Sequence, residues 1–133
     1  MICLDTTFLI DLWRNQGTAH HPTHELLRHR SGEIFAVPPP SAGEFLEGAI
    51  YISEARFQNA LWFLRQFQTG TLTFETAQHY ARIVSGLRRQ NRLGLVSKFD
   101  LWNAAWAREQ NAELITKNVR HYQGIPGLKI TSY

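Results

Sequence analysis

Short apolar runs alternate along the chain with stretches in which apolar residues recur at helical spacing. The runs predict five strands, at residues 2–4, 34–37, 71–74, 114–116 and 128–130. The helical stretches predict helices at about 7–13, 23–30, 41–50, 57–67, 77–87 and 98–110, with a short helical turn at 119–122. Strands that alternate with helices are typical of an α/β domain whose central sheet is largely parallel.

Proline and serine residues predict two of the helix boundaries. Three prolines at 38–40 follow the second apolar run, and because proline cannot continue a strand ladder they predict a rigid exit from that strand. Ser41 and Ser97 are each followed three residues later by an acid, Glu44 and Asp100, which is the pattern of a capping box. Helix capping therefore explains either acid taken alone.

Four acidic or amide side chains lie where an apolar run gives way to a helical segment. They are Asp5, Glu44, Asp100 and Asn118. In open α/β sheets, such positions gather ligand groups at the carboxyl ends of the strands. Carboxylates that meet there repel one another, and a divalent cation such as Mg²⁺ offsets the repulsion because it prefers carboxylate oxygens. The pattern indicates an acidic metal site, and phosphodiester hydrolysis is the first chemistry to test.

Ordinary structural roles remain open for these residues. Asp5 is well suited to cap the helix that follows it, and Asn118 is equally at home in a turn. Asp11 and Glu47 lie at helical spacing from the first two acids, where they either support the site or are simply solvated.

Length and composition predict one folded domain that spans residues 1–133. Its 44% hydrophobic and 19% charged residues are ordinary for a globular protein. Cys3 is the only cysteine, so an internal disulfide is excluded and a reducing compartment is indicated. No apolar run approaches the length that spans a bilayer. We expect a cytoplasmic protein with no membrane segment.

The distribution of charge says more than the net charge of +3. No acid occurs between Glu75 and Asp100, and the cations in that interval are Arg82, Arg88, Arg89, Arg92 and Lys98. A second basic group beside Asn118 consists of Lys117, Arg120 and His121. Basic flanks around an acidic centre fit a polyanionic substrate, although a solvated helix face explains the same charges.

In their order along the chain, the four segments resemble the PIN-domain ribonucleases, specifically the VapC-like toxins of bacterial type II toxin–antitoxin pairs. The segments are MICLDTTFLIDLWR, VPPPSAGEFLEGA, FDLWNAAWA and LITKNVRHYQGIPGLKI, and the resemblance covers the whole chain. The chain departs from the family at Thr7, where asparagine is frequent. It departs again at Asn118, which takes the fourth acidic position of many members.

The resemblance implies a three-layer α/β/α fold with a central, mostly parallel sheet of about five strands, and a metal-dependent endoribonuclease. It implies that Asp5, Glu44 and Asp100 hold Mg²⁺ or Mn²⁺, and that Asn118 orients a water or the outer coordination sphere. The side chains expected to contact RNA phosphates are Arg88, Arg89, Lys117 and Arg120. A structured RNA such as tRNA or rRNA is the implied substrate, a cognate antitoxin the implied partner and a homodimer the implied assembly.

Two alternatives stay open at this point. One is a non-catalytic PIN-like binding or regulatory module, which only the neutral Asn118 favours. Three carboxylates argue against it, because an idle acidic cluster is electrostatically costly. The other is a housekeeping RNA-processing nuclease without an antitoxin, which shares the chemistry and differs in its partner.

Overall fold

A five-stranded parallel sheet forms the centre of the protein in the computed structural model, which describes residues 1–133. The strands are β1 (Ile2–Leu4), β2 (Phe35–Val37), β3 (Gln68–Thr69), β4 (Glu113–Ile115) and β5 (Lys129–Thr131). Their order in the sheet is β3-β2-β1-β4-β5, and every neighbouring pair is parallel. Because β1 is central, the residue that follows it lies in the middle of the carboxyl edge.

Seven helices surround this sheet. They are α1 (Thr6–Arg14), α2 (Pro22–His29), α3 (Pro39–Ile52), α4 (Glu54–Leu64), α5 (Phe74–Arg89), α6 (Lys98–Glu109) and α7 (Val119–Tyr122). A single 3₁₀ turn at Leu93–Leu95 joins α5 to α6. None of the helices combines the length and apolar character needed to cross a bilayer.

The central strands are buried on both faces, which accounts for their continuous apolar sequence. Successive side chains of a strand point to opposite faces. Ile2 and Leu4 therefore join a cluster with residues of α1, α3 and α4, whereas Cys3 joins a cluster with residues of α5 and α6. Helices on both faces of a parallel sheet make the three-layer α/β/α arrangement, and the fold class expected from the sequence is confirmed.

The third strand does not lie where the apolar run at 71–74 predicted it. Those residues instead lead into α5, where Thr73 and Thr76 form a reciprocal capping box: the Thr73 hydroxyl accepts from the Thr76 N–H and the Thr76 hydroxyl accepts from the Thr73 N–H. This local capping favours a helix start over a strand. The true third strand is two exposed residues at the sheet edge, and they carry no apolar pattern.

The three prolines follow the last residue of β2, Val37, so the predicted exit from the strand is confirmed, but they also begin α3, which corrects the helix start and the capping box expected at Ser41. Pro38 is the N-cap, and the next two prolines occupy the first helical positions, where no intrahelical N–H bond is needed. Ser41 therefore lies inside the first turn, buried and with its hydroxyl unpartnered. At α6, by contrast, Ser97 does cap the helix, accepting the backbone N–H of Asp100 at 3.1 Å.

The two serines should differ in their effect on stability. We expect Ser97→Ala to lower the free energy of unfolding by about 1 kcal/mol, the usual worth of an N-cap. Ser41→Ala should cost nothing measurable, because it removes a buried hydroxyl that has no partner. Urea denaturation of the two variants checks this, and an equal loss in both would contradict the assignment of the caps.

Candidate metal centre at the carboxyl edge of the sheet

Asp5 lies at the middle of the carboxyl edge, directly after the central strand. It caps α1, because its Oδ1 accepts the backbone N–H of Phe8 at 2.9 Å. The hydroxyl of Thr7 donates to the same oxygen at 2.8 Å, and Asp5 is only 3% exposed. The capping role expected for Asp5 is present, and it holds a buried carboxylate in one orientation.

Burial raises the pKa of Asp5 above its ordinary value. Hydrogen bonds from Thr116, Phe8 and Thr7 act in the opposite direction, while the nearby charge of Asp100 adds to the rise. The only ion-pair contact of this carboxylate pair is between Asp100 and His121, which is charged only when protonated. Two adjacent carboxylates without a permanent cationic partner form a site whose charge a bound cation would compensate.

Asp100 lies in the first turn of α6, with its side chain 20% exposed. The hydroxyl of Tyr122 donates to its Oδ1 at 2.8 Å, and Nδ1 of His121 lies 3.2 Å from its Oδ2. Both contacts come from α7, which follows β4. The carboxylate therefore faces α7, and it does not reach back to the helix start as a capping box would require.

Glu44 reaches the same edge from α3 and is partly exposed. Its Oε2 accepts the hydroxyl of Thr6 at 2.6 Å, and Thr6 is the residue next to Asp5. No three His, Cys, Asp or Glu side chains converge tightly enough to form a ready metal-binding group. The structure thus places Asp100 close enough to Asp5 for their charges to interact, and it holds Glu44 against Thr6, the residue next to Asp5. All of the donors are carboxylate oxygens, which fits Mg²⁺ or Mn²⁺.

The backbone of Asn118 contacts Thr116, which lies beside Asp5. It is exposed and precedes α7 without a side-chain capping bond. Its backbone N–H donates to Oγ1 of Thr116 at 2.9 Å. Thr116 is fully buried, and its hydroxyl lies close enough to Asp5 to lower the pKa of that carboxyl. The structure places Asn118 at the edge that holds the carboxylates and leaves its side-chain role open.

The basic residues predicted near the site differ in whether their charge is paired with an acidic side chain. Lys117 forms an ion pair with Asp11, which also accepts the hydroxyl of Tyr133 at 2.8 Å. Burial alone would raise the pKa of Asp11, but the hydrogen bonds from Lys117 and Tyr133 lower it below its usual value. Asp11 is therefore the partner of Lys117. Arg88 and Arg89 are exposed at the end of α5 and make no ion pair.

An open pocket of about 420 Å³ lies beside the acidic residues. It is lined by Lys117, Asn118, Val119, Arg120, His121 and Ser132. Arg120 is exposed and has no carboxylate partner, and His121 also contacts Asp100. The pocket therefore offers positive charge next to the paired carboxylates, as a polyanion would require.

Three residues that contact the carboxylates were not predicted from the sequence. They are Thr6 and Tyr122, which donate to Glu44 and Asp100, and Thr116, whose hydroxyl lies beside Asp5. Thr116 directly follows β4 and Thr6 lies two residues after β1, so a hydroxyl near a strand end was an available signal. Nothing local marks Tyr122, because its partner lies 22 residues away.

The parallel sheet of order β3-β2-β1-β4-β5, with helices on both faces, makes this an α/β protein, and the acids at its carboxyl edge form a candidate metal site. A family model described as the PIN domain matches residues 2–124, so the chain belongs to the PIN-domain family.

Solved structures of VapBC proteins share this fold. The chain matches DNA-bound VapBC from Salmonella typhimurium with a TM-score of 0.85 and 20% identity, covering 99% of this chain and 98% of that one. For VapBC2 from Rickettsia felis, bound to a DNA fragment from its promoter, the TM-score is 0.83 and the identity 21%, and the match covers 100% of this chain and 99% of that one. For VapBC-1 from nontypeable Haemophilus influenzae, the TM-score is 0.82 and the identity 24%, and the match covers 99% of this chain and 98% of that one. No curated protein sequence matches the chain.

Proposed function

We propose that this protein is a metal-dependent endoribonuclease and that Asp5, Asp100 and Glu44 hold its Mg²⁺ or Mn²⁺. The observation that carries the proposal is the buried Asp5 carboxylate beside Asp100, with no lysine or arginine paired to either. Membership of the PIN-domain family, whose toxin members are nucleases, supports the same activity.

The chain's own groups prepare these carboxylates before any ion arrives. Thr7 and the Phe8 N–H fix Asp5, Tyr122 fixes one oxygen of Asp100, and Thr6 anchors Glu44. Such supporting hydrogen bonds orient ligands and hold them at the right distance. When bound, a divalent cation supplies Lewis acidity, activating water for attack and neutralising charge on the scissile phosphate. Asn118 would orient that water from the edge of the site.

Basic side chains around the site would hold the RNA backbone. Arg88 and Arg89 on α5 and Arg120 on α7 are exposed and free of carboxylate partners. Contacts of this kind position a nucleic acid and raise its affinity without reading its sequence. Lys117 belongs to the same group by position, but its ammonium is already paired with Asp11.

RNA binding should therefore weaken steeply with salt. For single-stranded RNA we expect a log–log slope of roughly −0.7 per neutralised phosphate, measured by fluorescence anisotropy with the Asp100→Asn variant so that no cleavage occurs. Replacing Arg88 and Arg89 with glutamine should flatten the slope by roughly 0.7 for each phosphate that is no longer neutralised. Lys117→Gln is the control and should change it less, because that charge is partly neutralised.

A slope near zero in the Asp100→Asn protein would contradict a nucleic-acid substrate. A Lys117→Gln effect as large as that of the arginine pair would show that Lys117 contacts RNA in spite of its ion pair.

We also propose that the protein is the toxin of a toxin–antitoxin pair and forms a homodimer. The structures that share its fold over the full length of both chains are VapBC proteins. An open groove of about 660 Å³ between α1, α2 and α4 supports a protein partner. It is lined in part by Trp13 and Phe63, and by Trp62, which is 69% exposed. Apolar grooves of this kind receive the apolar face of a partner helix.

The sequence of the neighbouring gene tests whether this protein has an antitoxin partner. We expect a short open reading frame immediately upstream whose product has a DNA-binding N-terminus, copurifies with this protein and abolishes its RNA cleavage. An active nuclease without such a neighbour would instead favour a housekeeping RNA-processing role. Profiling of RNA 5′ ends after induction would identify the RNA and the bond that is cleaved.

A further inference from the structure

Tyr122 is a buried tyrosine whose hydroxyl is committed to the acidic site. The side chain is fully buried in the core cluster beneath α6, and its hydroxyl donates to Oδ1 of Asp100 at 2.8 Å. A buried phenol normally needs a hydrogen-bond partner, and here the partner is a carboxylate. The phenol hydroxyl is the donor of this bond and the carboxylate oxygen is the acceptor.

Asn103 adds a second polar group to the same buried region. It lies one helical turn after Asp100 on α6 and is fully buried. Its amide lies near the Tyr122 hydroxyl. The contact falls short of hydrogen-bond geometry, however, and both the nitrogen and the oxygen of the amide lack a partner. An unpartnered buried amide costs stability, so packing alone gives no reason for asparagine at this position.

The two oxygens of Asp100 have different surroundings. Oδ1 is held by the buried Tyr122, whereas the only contact of Oδ2 is His121, whose side chain is 47% exposed. Oδ2 is thus the oxygen left available to a ligand. Fixing one oxygen of a ligating carboxylate sets the orientation of the other.

The geometry points to Tyr122 as a positioning residue for the metal centre, because its hydroxyl fixes one oxygen of Asp100. This inference rests on the proposed function, because it requires Asp100 to bind a divalent cation. Supporting hydrogen bonds of this kind typically change metal affinity by about 10- to 100-fold. Tyr122 would act on metal affinity through Asp100 without touching the RNA.

A second tyrosine provides a matched control. The hydroxyl of Tyr133 also donates to an aspartate at 2.8 Å, but that aspartate is Asp11, which pairs with Lys117. Tyr122→Phe and Tyr133→Phe therefore each remove one hydroxyl-to-carboxylate hydrogen bond. Only the first should alter metal binding if the positioning role is correct.

The experiment is calorimetric titration of the full-length protein with Mn²⁺, in the parent and in each variant. We expect Tyr122→Phe to weaken Mn²⁺ binding by about 10-fold at unchanged stoichiometry, and Tyr133→Phe to bind as the parent does. Cleavage by Tyr122→Phe should need more Mn²⁺ for half-maximal rate and should approach the parental rate at saturating Mn²⁺.

Asn103→Leu separates positioning from stability. It removes two unpartnered polar atoms near Tyr122 but keeps the bond from Tyr122 to Asp100, so the protein should be no less stable and should bind Mn²⁺ as the parent does. Circular dichroism checks the fold of each variant, and Tyr122→Phe keeps the buried ring.

Parental Mn²⁺ affinity in Tyr122→Phe would overturn the positioning role and leave the proposed function standing. Equal weakening in Tyr122→Phe and Tyr133→Phe would also overturn it, since it would reflect general destabilisation. Absence of Mn²⁺ binding in the parent would overturn the proposed function itself.

Discussion

Asp5→Asn and Asp100→Asn are each expected to slow metal-dependent RNA cleavage by at least about 100-fold while the protein stays folded. Each substitution removes one of the two adjacent carboxylates but keeps the size of the side chain. Asparagine caps helices about as well as aspartate does, so Asp5→Asn should preserve the start of α1. Single-turnover cleavage of a labelled RNA, with circular dichroism to check the fold, measures the effect.

Asp11→Asn is the matched control for this prediction. Asp11 lies on the same helix that Asp5 caps, but its carboxylate pairs with Lys117 and not with the proposed metal ligands. We expect it to retain cleavage within a few-fold of the parent. Equal losses of cleavage in Asp5→Asn and Asp11→Asn would contradict a special role for Asp5, because the two carboxylates would then matter equally. Full activity in Asp5→Asn would show that capping is its whole role.

A divalent cation should stabilise the folded protein strongly. At a free Mn²⁺ concentration 100 times the dissociation constant, linkage predicts about 2.7 kcal/mol of added stability. The Asp5→Asn/Asp100→Asn double variant should gain almost none, because its neutral amides bind hard cations weakly. Urea denaturation with Mn²⁺ and with chelator measures the difference. A double variant stabilised as much as the parent would place the ion elsewhere.

The Asp5 carboxylate makes the free energy of unfolding of the metal-free protein depend on pH. Burial and then Asp100 raise the folded pKa of Asp5 above its unfolded value, so the folded state holds this proton more tightly. Its contribution to stability is therefore favourable at low pH and is lost as the pH rises from the unfolded pKa through the folded one. Asp5→Asn should flatten the stability profile in that window, and bound Mn²⁺ should oppose the loss because it binds the ionised form.

Local signals in the sequence were enough to predict much of the fold and the position of the acids. Apolar runs located β1, β2, β4 and β5 to within one residue at each end. β1 is buried on both faces and carries no polar position, whereas β4 and β5 include Glu113 and Lys129. The transition from strand to helix located Asp5. The Ser97 cap was equally local, since both partners of its hydrogen bond lie within one turn.

The predictions were wrong where two local rules competed. At 71–74 the apolar pattern indicated a strand, but the Thr73 and Thr76 hydroxyls satisfy the first backbone groups of α5. At 38–40 the prolines do end β2, but the helix was expected to begin only at Ser41, although proline is also favoured in the first turn of a helix. The residues preferred at a helix start decided both cases.

Individual side-chain pairings between distant segments could not be predicted, although the gathering of the acids at one edge of the sheet could. Lys117 looked like a free cation beside Asn118, yet the fold pairs it with Asp11 on α1. The hydrogen bond from Thr6 to Glu44 joins residues 38 apart in the sequence. Contacts of this kind depend on how the strands are ordered in the sheet, which no local pattern of residues specifies.

RNA cleavage by the purified protein during chelation and re-addition of metal tests the central claim most directly. After treatment with a chelator, we expect no cleavage of a labelled RNA pool. Re-addition of Mg²⁺ or Mn²⁺ should restore it, with half-maximal rate near the dissociation constant that calorimetry gives. Cleavage that persists in chelator, or that no divalent cation restores, would contradict a ribonuclease site built on Asp5, Asp100 and Glu44.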